Sequence, residues 1–207
     1  MTKVETIGRK RDKLLKDLSF LKDFYLAGGT ALALQIEHRN SLDLDFYIQK
    51  KFDNQKLLQK LEKRFNNIKL IQNPTDTLIV EINDISVSFF HYPYSLIGPF
   101  VKLNGYPLLA SLKDIAAMKL VAIIQKATKR DFIDIYFLIK KFGLGSIIKV
   151  AEKKYPSFNS YLLLQAITFF EDIGKHDTRR IFMIENVSWL EIKKYLIKAV
   201  DEFKNSL

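Results

Sequence analysis

Residues 25–47 read YLAGGTALALQIEHRNSLDLDFY, and the order of residue types within them decides the fold. Phe24 to Ala27 is a short apolar run with the look of a buried strand, and Gly28-Gly29 stops it. Thr30 to Glu37 (TALALQIE) is rich in Ala and Leu, which predicts a helix. Ser41 to Ile48 alternates, which predicts a strand with Leu42, Leu44 and Phe46 on one face and Asp43, Asp45 and Tyr47 on the other. Strand, glycine pair, helix and acidic strand follow with almost no linker. A helix that starts directly after two glycines presents free backbone N–H groups and the positive end of its dipole. Glycine lets a phosphate approach the backbone closely. Asp43 and Asp45, two apart on one strand, send both carboxylates to the same side, and oxygen pairs of this kind suit a hard cation such as Mg²⁺ that also takes oxygens from phosphates. A phosphate cradle beside a paired-carboxylate platform is the minimum kit for metal-assisted phosphoryl or nucleotidyl transfer.

Outward from this stretch, the periodicity predicts an amphipathic helix over 7–22 and a Lys-rich one over 54–65. Strands are predicted at 68–72, 77–82 and 85–90, the last two joined by an Asn83-Asp84 hairpin turn. Beyond Gly105 the period becomes helical. Ser111 caps a helix to Lys126, and Arg130 to Lys141 forms another that Gly143 ends. Helices also fit 145–154 and 158–171, and a last one begins at Ser188, whose capping box is completed by Glu191. Strands dominate the first half and helices the second, so the expected class is α+β, with the strands and their flanking helices over residues 1–110 and an all-helical lobe over 111–207.

Composition narrows the chemistry. The 207 residues contain no Cys, which excludes disulfides and thiolate zinc sites, and the three histidines (His38, His91, His176) are too scattered for a metal cage. The sequence has no P-loop, HExxH or GxSxG pattern, and Gly143-Leu144-Gly145 lacks the third glycine of a dinucleotide fingerprint. No apolar run reaches the ~18 residues of a membrane span, and residues 1–18 have no apolar core of a signal peptide, so a cytoplasmic protein without membrane contact is expected. The charge of +10 is spread over both halves, with 16 basic and 12 acidic residues before 111 and 17 and 11 after, and favours phosphate-bearing partners.

The stretch AGGTALALQIEHRNSLDLDFY resembles the opening motif of the polymerase-β-like nucleotidyltransferases, and in particular of the AbiEii/AbiGii-type nucleotidyltransferase toxins, including His38-Arg39 and Ser41 ahead of the acidic pair. A second block, SLKDIAAMKLVAIIQKATKRDFIDIYFLI over 111–139, is similar to the later segment of the same family, with Asp114, Lys119, Arg130, Asp131 and Asp134 at its charged positions. The resemblance implies a nucleotidyltransferase that uses a nucleoside triphosphate with Mg²⁺ or Mn²⁺. Asp43 and Asp45 would hold the metal. Gly28, Gly29, Thr30, Arg39, Ser41 and Lys119 would bind the nucleotide, and Lys119 and Asp134 would join the acidic pair as catalytic residues. It further implies RNA as acceptor, tRNA foremost, and a toxin paired with a cognate antitoxin protein.

Two of these residues have plain alternatives. Asp131 in the first turn of a helix stabilises that terminus whatever its other role. Lys119 lies among Ala, Met, Leu and Val and needs an anion, either the triphosphate or Asp134 on the next helix. Ser88 stands where many members of the wider superfamily place a third acid, which leaves a second metal and base activation of the acceptor open, with Asp134 the candidate substitute. Two further readings stay open on that ground: a catalytically idle nucleotide- or RNA-binding module, and a nucleotidyltransferase acting on a small aminoglycoside-like acceptor.

Overall fold

The computed structural model describes residues 3–171, 173 and 180–206. His176 and Arg179 lie outside the described residues. The chain begins with α1 (Lys3–Ile7) and α2 (Arg9–Asp17), then a 3₁₀ turn at Leu18–Phe20. The single helix expected over 7–22 is broken because Gly8 takes φ 79°, a left-handed conformation that reorients the chain between the two segments. Next come β1 (Tyr25–Leu26), α3 (Gly28–Ile36), β2 (Leu44–Ile48), α4 (Asn54–Glu62), β3 (Ile68–Gln72), β4 (Thr77–Ile82), β5 (Ile85–His91) and β6 (Leu108–Leu109).

These strands form one mixed sheet in the order β3-β4-β5-β2-β1-β6, in which β2 pairs parallel with β5 and β1 parallel with β6. Asn83 and Asp84, at φ 51° and 63°, make the two-residue turn whose twist suits an antiparallel hairpin. Leu44 and Phe46 are fully buried on the inner face, where Phe46 stacks on Phe89 at 5.3 Å and Phe24 meets Phe89 edge-on at 5.3 Å. β2 therefore sits in the sheet interior, held on both edges, with one face sealed by aromatic packing.

The acidic strand starts later than its alternation suggests. Residues 40–43 spend their hydrogen bonds elsewhere: Asn40 N donates to the Phe182 carbonyl (2.9 Å), Ser41 N to the Thr6 carbonyl (3.1 Å), and the Asp43 carbonyl accepts from the Thr30 hydroxyl. Asp43 thus stands one residue ahead of β2, while Asp45 lies within it. The two-residue β6 follows Pro107 and carries no alternation to read.

After the sheet come α5 (Leu112–Lys126), α6 (Lys129–Phe142), α7 (Leu144–Lys154), α8 (Ser160–Ala166) and α9 (Trp189–Lys204). The expected helix over 158–171 is cut to α8, which Asn159 caps by accepting from Leu162 N at 3.0 Å. The helical half packs back on the sheet half through α3, which touches both α5 and α6. Among the described residues no helix is long and apolar enough to cross a membrane.

An ion pair with no solvent exposure on either side chain ties this half together. Asp114 receives Lys154 Nζ at 2.9 Å, the Ser111 hydroxyl at 2.6 Å and the Ile97 and Gly98 amides at 2.9 Å each, while Lys154 also donates to the Ser95 carbonyl at 2.7 Å. The pair pins the 95–98 loop between α5 and α7. Burial alone would raise the Asp114 carboxyl, but Ser111, Lys154 and the two amides together hold it below its ordinary value. A depressed acid stabilises the fold above its unfolded value of 3.8, and that contribution is lost as pH falls further. Lys154→Met, which leaves the carboxylate buried without its cation, is expected to cost about 3–5 kcal/mol in urea unfolding at pH 7. The deficit should narrow below about pH 4, where the stranded carboxyl takes up a proton; a deficit that stays constant with pH would exclude this origin.

Candidate active site

The turn from β1 into α3 brings seven of the residues singled out in the sequence together. Gly28 has φ +68°, and a Cβ there would stand 3.0 Å from Asp45 Oδ2. A Cβ on Gly29 would stand 2.7 Å from Arg39 Nη2 and 3.2 Å from Ser41 Oγ. Both glycines are therefore required by the chain's own charged groups, independently of any phosphate. Thr30, in the first turn of α3, lies 2.8 Å from Ser41 Oγ and donates to the Asp43 carbonyl. Thr30 and Ser41 thereby fix the backbone that delivers Asp43.

Asp43 and Asp45 flank the start of β2. Asp43 Oδ2 receives Arg130 Nη1 at 3.3 Å. Asp45 is paired with Ser88 across the parallel ladder, so Ser88 does occupy the neighbouring-strand position expected for a third acid. Burial, and after it the charge of Asp43, pushes the Asp45 carboxyl up to about 6, against the opposing pull of Lys119, Ser88 and Arg130.

Behind the pair lies a dry ionic cluster. Arg39 is 2% exposed and Asp134 0%. Asp134 Oδ1 receives Arg39 Nε at 2.6 Å and His38 Nε2 at 2.7 Å, while Oδ2 receives Arg39 Nη2 at 2.8 Å and Lys119 Nζ at 2.6 Å. Burial alone would raise this carboxyl, but Arg39, Lys119 and His38 hold it well below the usual range. Lys119 is shared with Asp131 Oδ1 at 2.7 Å, and both acids keep its ammonium charged despite burial. Asp131 also fulfils the bland expectation, since its other oxygen accepts from Thr128 N (3.0 Å) and the Thr128 hydroxyl (2.7 Å) in a capping box.

The structure thus gathers Gly28, Gly29, Thr30, Arg39, Ser41, Asp43, Asp45, Lys119 and Asp134 into one region, though not all as expected. Asp134 cannot stand in for the missing third metal ligand, because both of its oxygens are committed to cations. Lys119 already has two anions. Arg39 lies beneath the glycine turn, gripping Asp134. Among the described residues no group of three or more acids and histidines could hold a metal ion. Arg130 and His38 belong to the motifs, but no local pattern signals their roles, since their partners lie 87 and 96 residues away. A cleft of about 510 Å³ lined by Gly143, Ser146, Lys149 and Phe203 contains none of these residues, so cavity size does not mark this site.

A profile described as nucleotidyl transferase AbiEii toxin, type IV toxin–antitoxin system, matches residues 13–106 and 105–194. An uncharacterized protein of Aquifex aeolicus (strain VF5), aq_aa25, is 33% identical over 210 residues, 98% of each chain. Among solved structures, the nucleotidyltransferase toxin MenT4 (Rv2826c) of Mycobacterium tuberculosis superposes with a TM-score of 0.65 at 17% identity over 95% of this chain and 82% of its own. JHP933 of Helicobacter pylori gives 0.55 at 16% over 99% and 94%, and the antibiotic-resistance factor ANT(2″)-Ia gives 0.52 at 10% over 70% and 88%. At these identities the structural likenesses establish the nucleotidyltransferase fold.

The raised Asp45 carboxyl has a measurable consequence. The folded state holds this proton more tightly than the unfolded chain does, so the associated stability is full below about pH 4 and lost as pH rises through 6. In EDTA, the wild type should lose on the order of 2 kcal/mol between pH 4 and 7 that Asp45→Asn does not lose. Identical pH profiles for the two proteins would contradict the assignment.

Proposed function

The chain belongs to the AbiEii nucleotidyltransferase toxin family, and from that premise we propose that it transfers a nucleotidyl group from a nucleoside triphosphate to an RNA acceptor, tRNA foremost, with Mg²⁺ or Mn²⁺. The biological role proposed with it is that of a toxin held in check by a cognate antitoxin. The observation that carries the reading is the acidic pair at β2: two carboxylates two residues apart, Asp45 set against the Gly28 turn and raised by burial and then by the charge of Asp43, with Lys119 fixed on Asp134 nearby.

The donor set fits a hard divalent ion. Asp43 and Asp45 would hold it through carboxylate oxygens, its remaining positions being left to water and substrate phosphates. When bound, the ion supplies positive charge where the phosphates gather. The rest falls to the chain's own groups. The N-terminus of α3 at Gly28 to Thr30 directs its dipole at an approaching phosphate. Lys119 and Arg130 are fixed cations that offset the charge growing on the leaving pyrophosphate without reorganising, and Arg39 adds its charge from behind them, held on Asp134. The acidic pair comes from residues before 110, whereas Lys119, Arg130, Asp131 and Asp134 come from α5 and α6. This supports the division into a core over 1–110 and a helical lobe over 111–207 that completes the active centre.

Ser88 in place of a third acid favours the second reading, a member that binds nucleotide or RNA without transferring. The basic charge on both halves favours RNA over a small aminoglycoside-like acceptor. One experiment separates the three. Each of the four α-labelled triphosphates is incubated with Mg²⁺ and total RNA, or with an aminoglycoside. Labelled RNA from the wild type, and none from Asp45→Asn, is expected. Lys119→Ala should label about 10²-fold more slowly, as loss of a fixed transition-state charge does, and should also melt lower because Asp131 and Asp134 lose their shared cation. Label on the aminoglycoside alone would replace the RNA reading. Triphosphate binding with no label anywhere would establish the idle module.

A further inference from the structure

We infer that His38 is a positioning residue of the transfer reaction, holding Asp134 in the one orientation in which this carboxylate grips Arg39 and Lys119 together. The inference rests on the reading of Asp43, Asp45 and Lys119 as the active centre. His38 is 3% exposed, and its ring meets Phe137 edge-on at 5.2 Å. Its Nε2 lies 2.7 Å from Asp134 Oδ1. A carboxylate that three cationic or N–H partners keep ionised can only accept, so Nε2 carries the proton and His38 donates. Burial first, and then the charges of Arg39 and Lys119, keep the ring neutral against the pull of Asp134. In that neutral tautomer Nδ1 is a bare acceptor, and it is buried with no hydrogen-bond partner.

An orphaned buried acceptor is destabilising, so stability alone does not account for histidine here. The backbone needs no help from the ring either. The His38 carbonyl accepts from Ile184 N at 3.0 Å, Arg39 forms a β-bridge with Met183, and Asn40 N donates to the Phe182 carbonyl. What the ring alone provides is the second donor on Oδ1. Without it Oδ1 keeps only Arg39 Nε, and the carboxylate is free to turn toward its remaining donors. Lys119, 2.6 Å from Asp134 and 2.7 Å from Asp131, then settles toward Asp131, away from the place where it would meet developing phosphate charge.

The test uses two variants of the full chain. His38→Leu fills the space without a donor. His38→Gln carries an amide N–H that reaches the position of Nε2. Labelling kinetics with α-labelled triphosphate, Mg²⁺ and RNA should show kcat reduced ~10–100-fold in His38→Leu, the usual loss when an outer hydrogen-bond partner is removed, with KM for the triphosphate little changed. The melting temperature of His38→Leu should equal or exceed that of wild type, and His38→Gln should recover most of the rate. In ¹⁵N-histidine spectra of the wild type, His38 should show a protonated Nε2 and a bare Nδ1, a readout that needs no activity.

His38→Leu at the wild-type rate, with Asp45→Asn inactive, would overturn this inference and leave the active centre standing. A rate loss that tracks a fall in melting temperature and is not recovered by His38→Gln would make the role merely structural. Full activity in Asp45→Asn, or a wild type that labels nothing, would remove the active-centre reading and this inference with it. A proton on Nδ1 would contradict the hydrogen-bond assignment directly.

Discussion

Asp134 is a carboxylate with no contact with water, surrounded by N–H donors, and most of what is distinctive in this structure depends on it. It joins the segment between α3 and β2, through His38 and Arg39, to the helical half, through Lys119. Those segments are far apart in the chain, so the contact is also a constraint on tertiary assembly. The Coulomb gain of a buried pair is largely offset by desolvation, whereas removing one partner strands the other in a dry interior. Such a contact is a poor source of net stability. It is a strong selector of one arrangement over its neighbours.

From this anchor the geometry of the acidic pair follows. Arg39 reaches Asp134 with its guanidinium against Gly29, where a Cβ would stand 2.7 Å from Nη2. Gly28 must likewise yield to Asp45. Thr30 and Ser41 then tie the loop that carries Asp43 to the first turn of α3. The glycine pair, which in isolation reads as a phosphate loop, thus serves first to let fixed charges approach each other. An anion site at the same helix terminus is compatible with this role, since backbone N–H groups are unaffected by it.

How much of this was legible from sequence depended on the range of the interaction concerned. The strands at 68–72 and 77–82 are found at the boundaries that alternation and Asx turns suggested, and the caps at Ser111 and Ser188 are made as their local patterns required. The start of β2 was misread because the bonds that pull residues 40–43 away from the sheet come from Thr6, Thr30 and Phe182. The charged residues of the site were identifiable by motif, and Asp134 was legible as an anion for Lys119, but the other partners were not. Asp134 looked available as a metal ligand until Arg39 and His38 were seen to occupy it. Asp131 looked like a simple helix cap and proved to be a cap and a lysine partner at once. The buried partner of Asp114, Lys154 on α7, had no local signature at all.

Arg39 and Asp134 act as a coupled buried pair joining the two halves. A double-mutant cycle of Arg39→Met and Asp134→Asn, followed by urea unfolding at pH 7, addresses this coupling most directly. Each single variant should lose about 3–5 kcal/mol, because each strands a buried charge. The double variant should lose at least about 2 kcal/mol less than the two singles combined, since neither charge then remains unmatched. Additivity to within about 0.5 kcal/mol, the behaviour of independent sites, would show that the two residues do not depend on each other and would contradict the account.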